Sequence, residues 1–332
     1  MIHTTRIKGK AQQPGNILID MPHGLGDQIM CFPLLASLKK AYPDCSITVL
    51  SPNRAASSLL SYNTNINDVI TINVRFSAQG LIRHTFFDAL RLRRKIRKRD
   101  FDTFIIVHPN MIRTVNRILC GIPFIIENIE HTHKSIECRN ILKTLGIPFI
   151  ADYSLDVRNT QPVLDKFSLA HGQYVLLDLY PQHINRDPRR WESYPDLINS
   201  LKSEGMTVVT AGINRLHVPI PGVTDLVNKT SFPELLALVK HAKMTVTLDT
   251  GFFHFSYALG TPTISLFGPV NPVDRVPIAG DHRIKIIYKK LDCSPCIVNK
   301  VAIPCRRKNE PYLCMKSITV DEVMKLVREY NR

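Results

Sequence analysis

Thr245-Val246-Thr247-Leu248-Asp249-Thr250-Gly251-Phe252-Phe253-His254 carries on to Leu259, and Thr263-Ile264-Ser265-Leu266-Phe267 follows closely. The first run is rich in β-branched residues, as strands are. Asp249-Thr250-Gly251 punctuates it, and a mostly apolar and aromatic stretch to Leu259, with His254 and Ser256 in it, then reads as a short helix. A second β-branched run completes the order strand, turn, helix, strand. That order is a βαβ unit, which implies a parallel sheet.

The same alternation extends upstream. Residues 174–177 and 207–210 read as strands, with a helix over 194–204 between them. Ser231 opens another helix, with Glu234 in the capping position before Leu235, Leu236, Leu238 and Val239. In the first half, residues 16–20 form a strand and Gly24-Leu25-Gly26-Asp27 a turn. A helix follows over 29–42 and a strand over 47–50, with further strands at 69–71, 104–107 and 124–126. The expected architecture is α/β in two halves: a domain over 1–160, a second over 161–315, and a terminal helix over 316–332 that returns to the first. Ligands of open parallel sheets bind beyond the carboxyl ends of the strands. The turns at 24–27 and 249–251 both follow strands, so both are candidates to face a cleft.

Bulk properties narrow the partners. The chain has 332 residues, 44% of them apolar, and a formal net charge of +15. That excess favours an anionic partner. Nothing resembles a helix-turn-helix, an RNA-recognition pattern or a His-containing zinc finger, so nucleic acid is not expected. Residues 1–15 are polar and basic rather than a signal peptide, and no apolar run reaches the length of a membrane span. A cytoplasmic protein is the expectation. Residues 83–99 hold eight basic residues and one acid, Asp88, interleaved with Phe86, Phe87, Leu90, Leu92 and Ile96. This reads as a helix packed on one side. Its basic side, with Arg91 and Arg94, is turned to a phosphorylated lipid or an anionic membrane surface.

The turn at 249–251 starts a helix, and a helix start offers free N–H groups and partial positive charge to a phosphate. His254 lies one turn further on. The competing reading makes Asp249 and Thr250 ordinary caps and His254 a core residue. Gly260-Thr261-Pro262-Thr263-Ile264-Ser265-Leu266-Phe267-Gly268 comes next. Here the chain resembles the family 9 glycosyltransferases, the lipopolysaccharide heptosyltransferases. Their D-T-G-x-x-H and G-x-P-x-(I/V)-x-L-(F/Y)-G segments occur in this order, and the resemblance runs from Gly24 to the Cys-rich end.

The resemblance implies a GT-B fold, two Rossmann-like domains facing a central cleft. It implies inverting transfer of heptose from ADP-heptose to a lipopolysaccharide inner-core acceptor at the inner face of the inner membrane, with no cofactor required. Asp27 matches the family's general base, beside Gly26 on the acceptor side. A nicotinamide-binding alternative fails, because Ile29 stands where a third glycine belongs and the strand ending Leu50-Ser51-Pro52 lacks an acid. Arg189, two before Trp191, matches a basic donor-phosphate residue, with Arg186 and Arg190 as weaker candidates. With Asp249, Thr250, Gly251 and His254 it forms the implied donor site. Asn214 stands where many members carry a ribose-binding glutamate. That departure allows another nucleotide sugar or a protein acceptor. A non-catalytic nucleotide-sugar or lipid-binding protein is the alternative from a different class, and the intact Asp27 and His254 speak against it.

Cys293, Cys296, Cys305 and Cys314 have the spacing C-x₂-C-x₈-C-x₈-C. Four thiolates suit a structural zinc or iron. Some related protein heptosyltransferases bind iron through such a run. Reduced structural cysteines are the alternative.

Overall fold

The apolar runs read as strands are buried from end to end at the centre of each sheet, as strands covered on both faces must be, and partly exposed at 69–71 and 207–210. The structure is a computed structural model. It describes residues 5–8, 13–72, 75–76, 82–83, 86–107, 121–128, 132–178, 187–213, 219–278, 280–298, 301–302 and 305–331, with backbone alone at 6, 75–76, 82–83, 86–91, 298 and 301–302. The chain divides into two compact units, Met1–Asp156 and Val157–Arg332.

The first unit contains β1 (Thr5–Lys8), β2 (Asn16–Asp20), β3 (Ser46–Ser51), β4 (Asp68–Thr71), β5 (Arg75–Phe76), β6 (Ile82–Arg83), β7 (Thr103–Ile106) and β8 (Phe124–Asn128). Its main sheet has the order β1-β8-β7-β2-β3-β4, and β5 pairs with β6 apart from it. Every pair of the main sheet is parallel except β1 with β8. β1 comes from the segment read as merely polar. An edge strand needs only backbone partners, and Ile7 is 48% exposed. The expected helix over 29–42 is two helices, Leu25–Met30 and Phe32–Ala41, with the break at Cys31. Pro33 is the reason. It has no N–H to give to the carbonyl of residue 29, and its ring excludes a continuous helix there.

The second unit contains β9 (Tyr174–Asp178), β10 (Thr207–Thr210), β11 (Thr224–Asp225), β12 (Met244–Leu248), β13 (Thr263–Phe267) and β14 (Ile284–Tyr288). The order is β11-β10-β9-β12-β13-β14, parallel throughout. Parallel strands put all their carboxyl ends on one edge, so Asp178, Gly212 and Asp249 follow three neighbouring strands on the same side. Ser231 caps the helix Phe232–His241 in a full capping box with Glu234, as its sequence predicts.

The terminal helix, Val320–Asn331, belongs to this unit. Val323, Met324 and Val327 lie in one core cluster with Trp191, Leu201 and Leu266. This helix is thus a structural part of the second unit. Trp191 is the chain's single tryptophan. Its indole N–H donates to the Ile318 carbonyl at 3.0 Å, tying the loop before the helix Tyr194–Ser203 to the start of the terminal helix. Trp191→Phe keeps an aromatic ring but leaves that carbonyl buried without its donor. A loss of about 1–3 kcal/mol in urea unfolding is expected, followed by circular dichroism because the substitution also removes the fluorophore.

Candidate functional sites

In the second unit, the turn after β12 is built as a helix start. Thr250 is extended (φ −130°, ψ 176°) and its Oγ1 accepts from the Phe252 N–H at 3.2 Å. The helix Gly251–Ala258 begins directly after it. The same Thr250 hydroxyl donates to Asp178 Oδ2 at 2.7 Å, joining the ends of β12 and β9. Thr250 is thus an N-cap, as the competing reading had it, but one that also carries a hydrogen bond across the sheet edge.

Arg189 reaches this turn from the loop after β9. Its guanidinium forms a fork on Asp187, with Nε to Oδ1 at 2.9 Å and Nη2 to Oδ2 at 2.6 Å, and Nη1 donates to the Asp249 carbonyl. The sequence-predicted cation and the sequence-predicted helix start are therefore in direct contact. Arg190 pairs with Glu192 at the surface, at 3.1 Å, and does not take part. Arg186 and Asn214 lie outside the described residues.

His254 is 4% exposed, and its Nδ1 bonds the Tyr257 hydroxyl at 3.0 Å. Phe253 packs edge-on against the ring, with centroids 5.3 Å apart. The imidazole is a well-packed core group one turn inside the helix.

Two residues that the sequence reading passed over belong to this site. Arg275, beyond the short turn Pro272–Asp274, pairs with the Asp249 carboxylate at 3.4 Å. Burial raises the Asp249 pKa, while Arg275 and Arg189 oppose that rise. Asp178 ends β9 and is 7% exposed. An acid at the carboxyl end of a parallel strand was a usable signal for Asp178. Arg275 had none, because its partner is set by the fold.

In the first unit, β2 ends at Asp20 and the chain turns through Gly24 into the helix Leu25–Met30. Gly24 is the N-cap, and it offers no side-chain cap. Asp27 sits in the first turn of that helix, 7% exposed, where helix polarity favours a carboxylate. Its carboxylate folds back over Gly24, so that a Cβ on residue 24 would lie 2.8 Å from Asp27 Oδ2. Gly26 is buried in the same turn. Gln28 Nε2 holds the entry by donating to the Pro22 carbonyl at 3.1 Å. Ser135 Oγ donates to the Met30 carbonyl at 2.8 Å and so ties down the far end. Behind the break, the Cys31 and Cys138 thiols are fully buried, and desolvation together with Cys138 pushes the Cys31 pKa well up.

The basic segment forms the helix Phe86–Arg97. Leu92 and Ile96 enter the core of the first unit, while Arg94, Lys95 and Arg97 are exposed. Arg91 is in this helix, and its side chain lies outside the described residues. Among the described residues no helix is long and apolar enough to cross a membrane.

Cys293, Cys296, Cys305 and Cys314 line one small pocket with Pro269 and Tyr312. The Tyr312 N–H donates to Cys305 Sγ at 3.3 Å, and burial pushes the Cys314 thiol up to about 11. Among the described residues no three His, Cys, Asp or Glu side chains come together so as to hold a metal ion. The possible zinc or iron site is thus without support here, and burial raises the Cys296 and Cys314 thiols. Cys314 has a packing role. A Cβ at Gly268 would lie 2.5 Å from Met315 Sδ and 3.0 Å from Cys314 Sγ, so the glycine that closes β13 is the floor for Cys314-Met315.

The sequence model of glycosyltransferase family 9 (heptosyltransferase) matches residues 148–305. Lipopolysaccharide heptosyltransferase 3 of Escherichia coli is 25% identical over 287 residues, covering 75% of this chain and 82% of that protein. Among solved structures, the E. coli ADP-heptose lipopolysaccharide heptosyltransferase II superposes with a TM-score of 0.74 at 18% identity, covering 95% of this chain and 98% of that one. The iron-containing dodecameric glycosyltransferase TibC of enterotoxigenic E. coli superposes with a TM-score of 0.62 at 18% identity, covering 98% of this chain and 77% of that one. These likenesses agree with the two parallel-sheet units seen here and with the GT-B class.

Proposed function

We propose that the chain, which matches the model of glycosyltransferase family 9 over residues 148–305, is a member of that family and transfers heptose from ADP-heptose to a lipopolysaccharide inner-core acceptor. The observation that carries the reading is the contact between Arg189 and the turn at Asp249, where a guanidinium meets a helix N-terminus at the carboxyl edge of a parallel sheet. Such an edge binds a nucleoside diphosphate well.

The proposed reaction is a single displacement with inversion. Asp27 takes the proton from an acceptor hydroxyl as its oxygen attacks the anomeric carbon. The bond from that carbon to the diphosphate breaks, and ADP leaves with the electron pair. Arg189 and the N–H groups at Gly251 and Phe252 stabilise the charge that develops on the leaving group. Fixed cations serve where other transferases use a metal, so the proposed reaction is metal-independent. Asp249 shapes the turn, and His254 supports the helix from within. Arg94 and its exposed neighbours are proposed to meet the phosphorylated acceptor at an anionic membrane face.

The test is ADP release from ADP-heptose with a heptose-deficient core acceptor, run beside other nucleotide sugars. Acceptor-dependent turnover with ADP-heptose is expected, and no turnover with any donor would sink the reading. A finer test concerns Gly24. Gly24→Ala drives a methyl group against the Asp27 carboxylate and displaces it. A fall in kcat of about 10²-fold is expected, with little change in melting temperature. A variant with unchanged kcat would separate Asp27 from the chemistry.

A further inference from the structure

Two histidines meet at the amino edge of the second sheet, the edge opposite the one that carries Asp249. His171 lies just before β9, and His241 ends the helix that precedes β12. β9 and β12 are parallel neighbours. Backbone hydrogen bonds fix the two segments to each other. The Gly172 N–H donates to the His241 carbonyl at 2.8 Å, and the Lys243 N–H donates to the Tyr174 carbonyl at 2.9 Å. The imidazoles are close to perpendicular (84°), with centroids 5.0 Å apart, and their Nδ1 atoms lie 2.8 Å from each other. His171 is exposed and His241 half-buried. His241 is held a second time through its other ring nitrogen. Its Nε2 lies 2.6 Å from Oγ1 of Thr160, the N-cap of the helix Gln161–Lys166.

This arrangement has the parts of a metal site. Two nitrogens bound to one ion at about 2.0–2.1 Å stand about 2.9 Å apart at a right angle and about 3.3 Å apart at the tetrahedral angle. The pair therefore has to open by about 0.5 Å at most. A ligating histidine is oriented by the hydrogen bond of its other nitrogen. Thr160 is placed to supply that bond. With the Nε2 hydrogen given to Thr160 Oγ1, the His241 lone pair is at Nδ1 and faces His171. Burial lowers the His241 pKa, helped by His171 and Lys240, so this nitrogen is a free base at neutral pH. Lys240 adds positive charge nearby, and its Nζ is held on the Val157 carbonyl at 2.5 Å.

We propose that His171 and His241 bind one divalent transition-metal ion through their Nδ1 atoms, with water in the remaining positions and Thr160 orienting His241. Imidazole suits zinc, copper and nickel, whereas magnesium and calcium take oxygen ligands. The hydrogen shared by the two Nδ1 atoms leaves to solvent as the ion enters, and His171 takes one up at Nε2. The change is one of tautomer, with no net proton released from the neutral pair. The bound ion staples the segment before β9 to the end of the helix Phe232–His241. The site lies at the edge away from the donor turn, so it does not depend on the proposed reaction.

The experiment is calorimetric titration of the reduced, untagged, full-length protein with Zn²⁺ at about pH 7.5, beside Mg²⁺. The wild type is expected to bind Zn²⁺ and not Mg²⁺. His171→Ala changes an exposed side chain and is expected to lose one equivalent of bound Zn²⁺. Thr160→Val keeps both imidazoles and is expected to weaken the site by about 10–100-fold, as the loss of an orienting partner does. Affinity is expected to fall from about pH 7.5 to about pH 5.5, because protons compete for the same two nitrogens. Saturating Zn²⁺ should raise the melting temperature of the wild type more than that of His171→Ala. A Cys293→Ser/Cys296→Ser variant separates zinc on thiols from zinc on imidazoles, and it is expected to keep the equivalent that His171→Ala loses. No Zn²⁺ binding by the wild type, or equal binding by the wild type and His171→Ala, overturns the inference. Wild-type affinity in Thr160→Val overturns the orienting role of Thr160. The wild type and His171→Ala decide even if the cysteine variant does not fold.

Discussion

Asp27→Asn is expected to lower kcat by about 10²–10⁴, the range supplied by a positioned general base. Affinity for ADP-heptose should stay within about twofold, because the substitution touches the first unit and the diphosphate is assigned to the second. The amide has the shape of the carboxylate and fits the same turn over Gly24. It accepts hydrogen bonds through one oxygen only and cannot take the hydroxyl proton. The helix Leu25–Met30 keeps its anchors at Gln28 and Ser135, which do not depend on Asp27. A large loss of turnover with an unchanged melting temperature is thus the pattern of a lost base. Wild-type turnover by Asp27→Asn would remove the base assignment. A parallel drop in stability would mark Asp27 as a residue of the helix start and no more. Steady-state ADP release, with donor titration on the same preparation, distinguishes these outcomes.

The parts legible in the sequence are those whose signal is local. Residues 16–20 and 244–248 are apolar, β-branched runs bounded by turn residues, and both are buried strands. Ser231 and Glu234 make a capping box within four residues of chain. The break at Cys31 was also local, since Pro33 is visible in the sequence, but the apolar period running through it hid the interruption. The terminal helix shows a different limit. Val323, Met324 and Val327 mark an apolar stripe, but a stripe does not name the surface that covers it. The site shows the same division. Thr250 reads as a cap from its spacing, while its bond to Asp178 joins residues 72 apart. Arg275 and Asp249 meet only because the segment after β13 comes back over the turn after β12. The cysteine spacing allowed a metal, but it did not show that Cys314 packs beneath Gly268.

Arg189→Ala is expected to lower kcat by about 10²–10³, the loss typical of removing one preorganised donor to a developing charge. Three consequences arise together. The leaving diphosphate loses the fixed cation proposed for it. The Asp249 carbonyl loses the guanidinium that holds the turn. Asp187, 7% exposed at its side chain, loses the fork that balances its charge. The last effect falls on stability. Arg189 is 29% exposed at its side chain, so solvent screens part of the pair. The expected loss is about 1–3 kcal/mol rather than the larger cost of a fully buried ion pair. Arg189→Lys separates the effects. An ammonium restores the charge but cannot form the planar fork on Asp187 and reach the Asp249 carbonyl at once. Its kcat is expected to lie between those of wild type and Arg189→Ala, with most of the stability recovered. If Arg189→Lys is as slow as Arg189→Ala, the geometry of the turn matters more than the charge beside the diphosphate. If Arg189→Ala turns over like the wild type, the contact between Arg189 and the helix start is structural and the donor phosphates bind elsewhere.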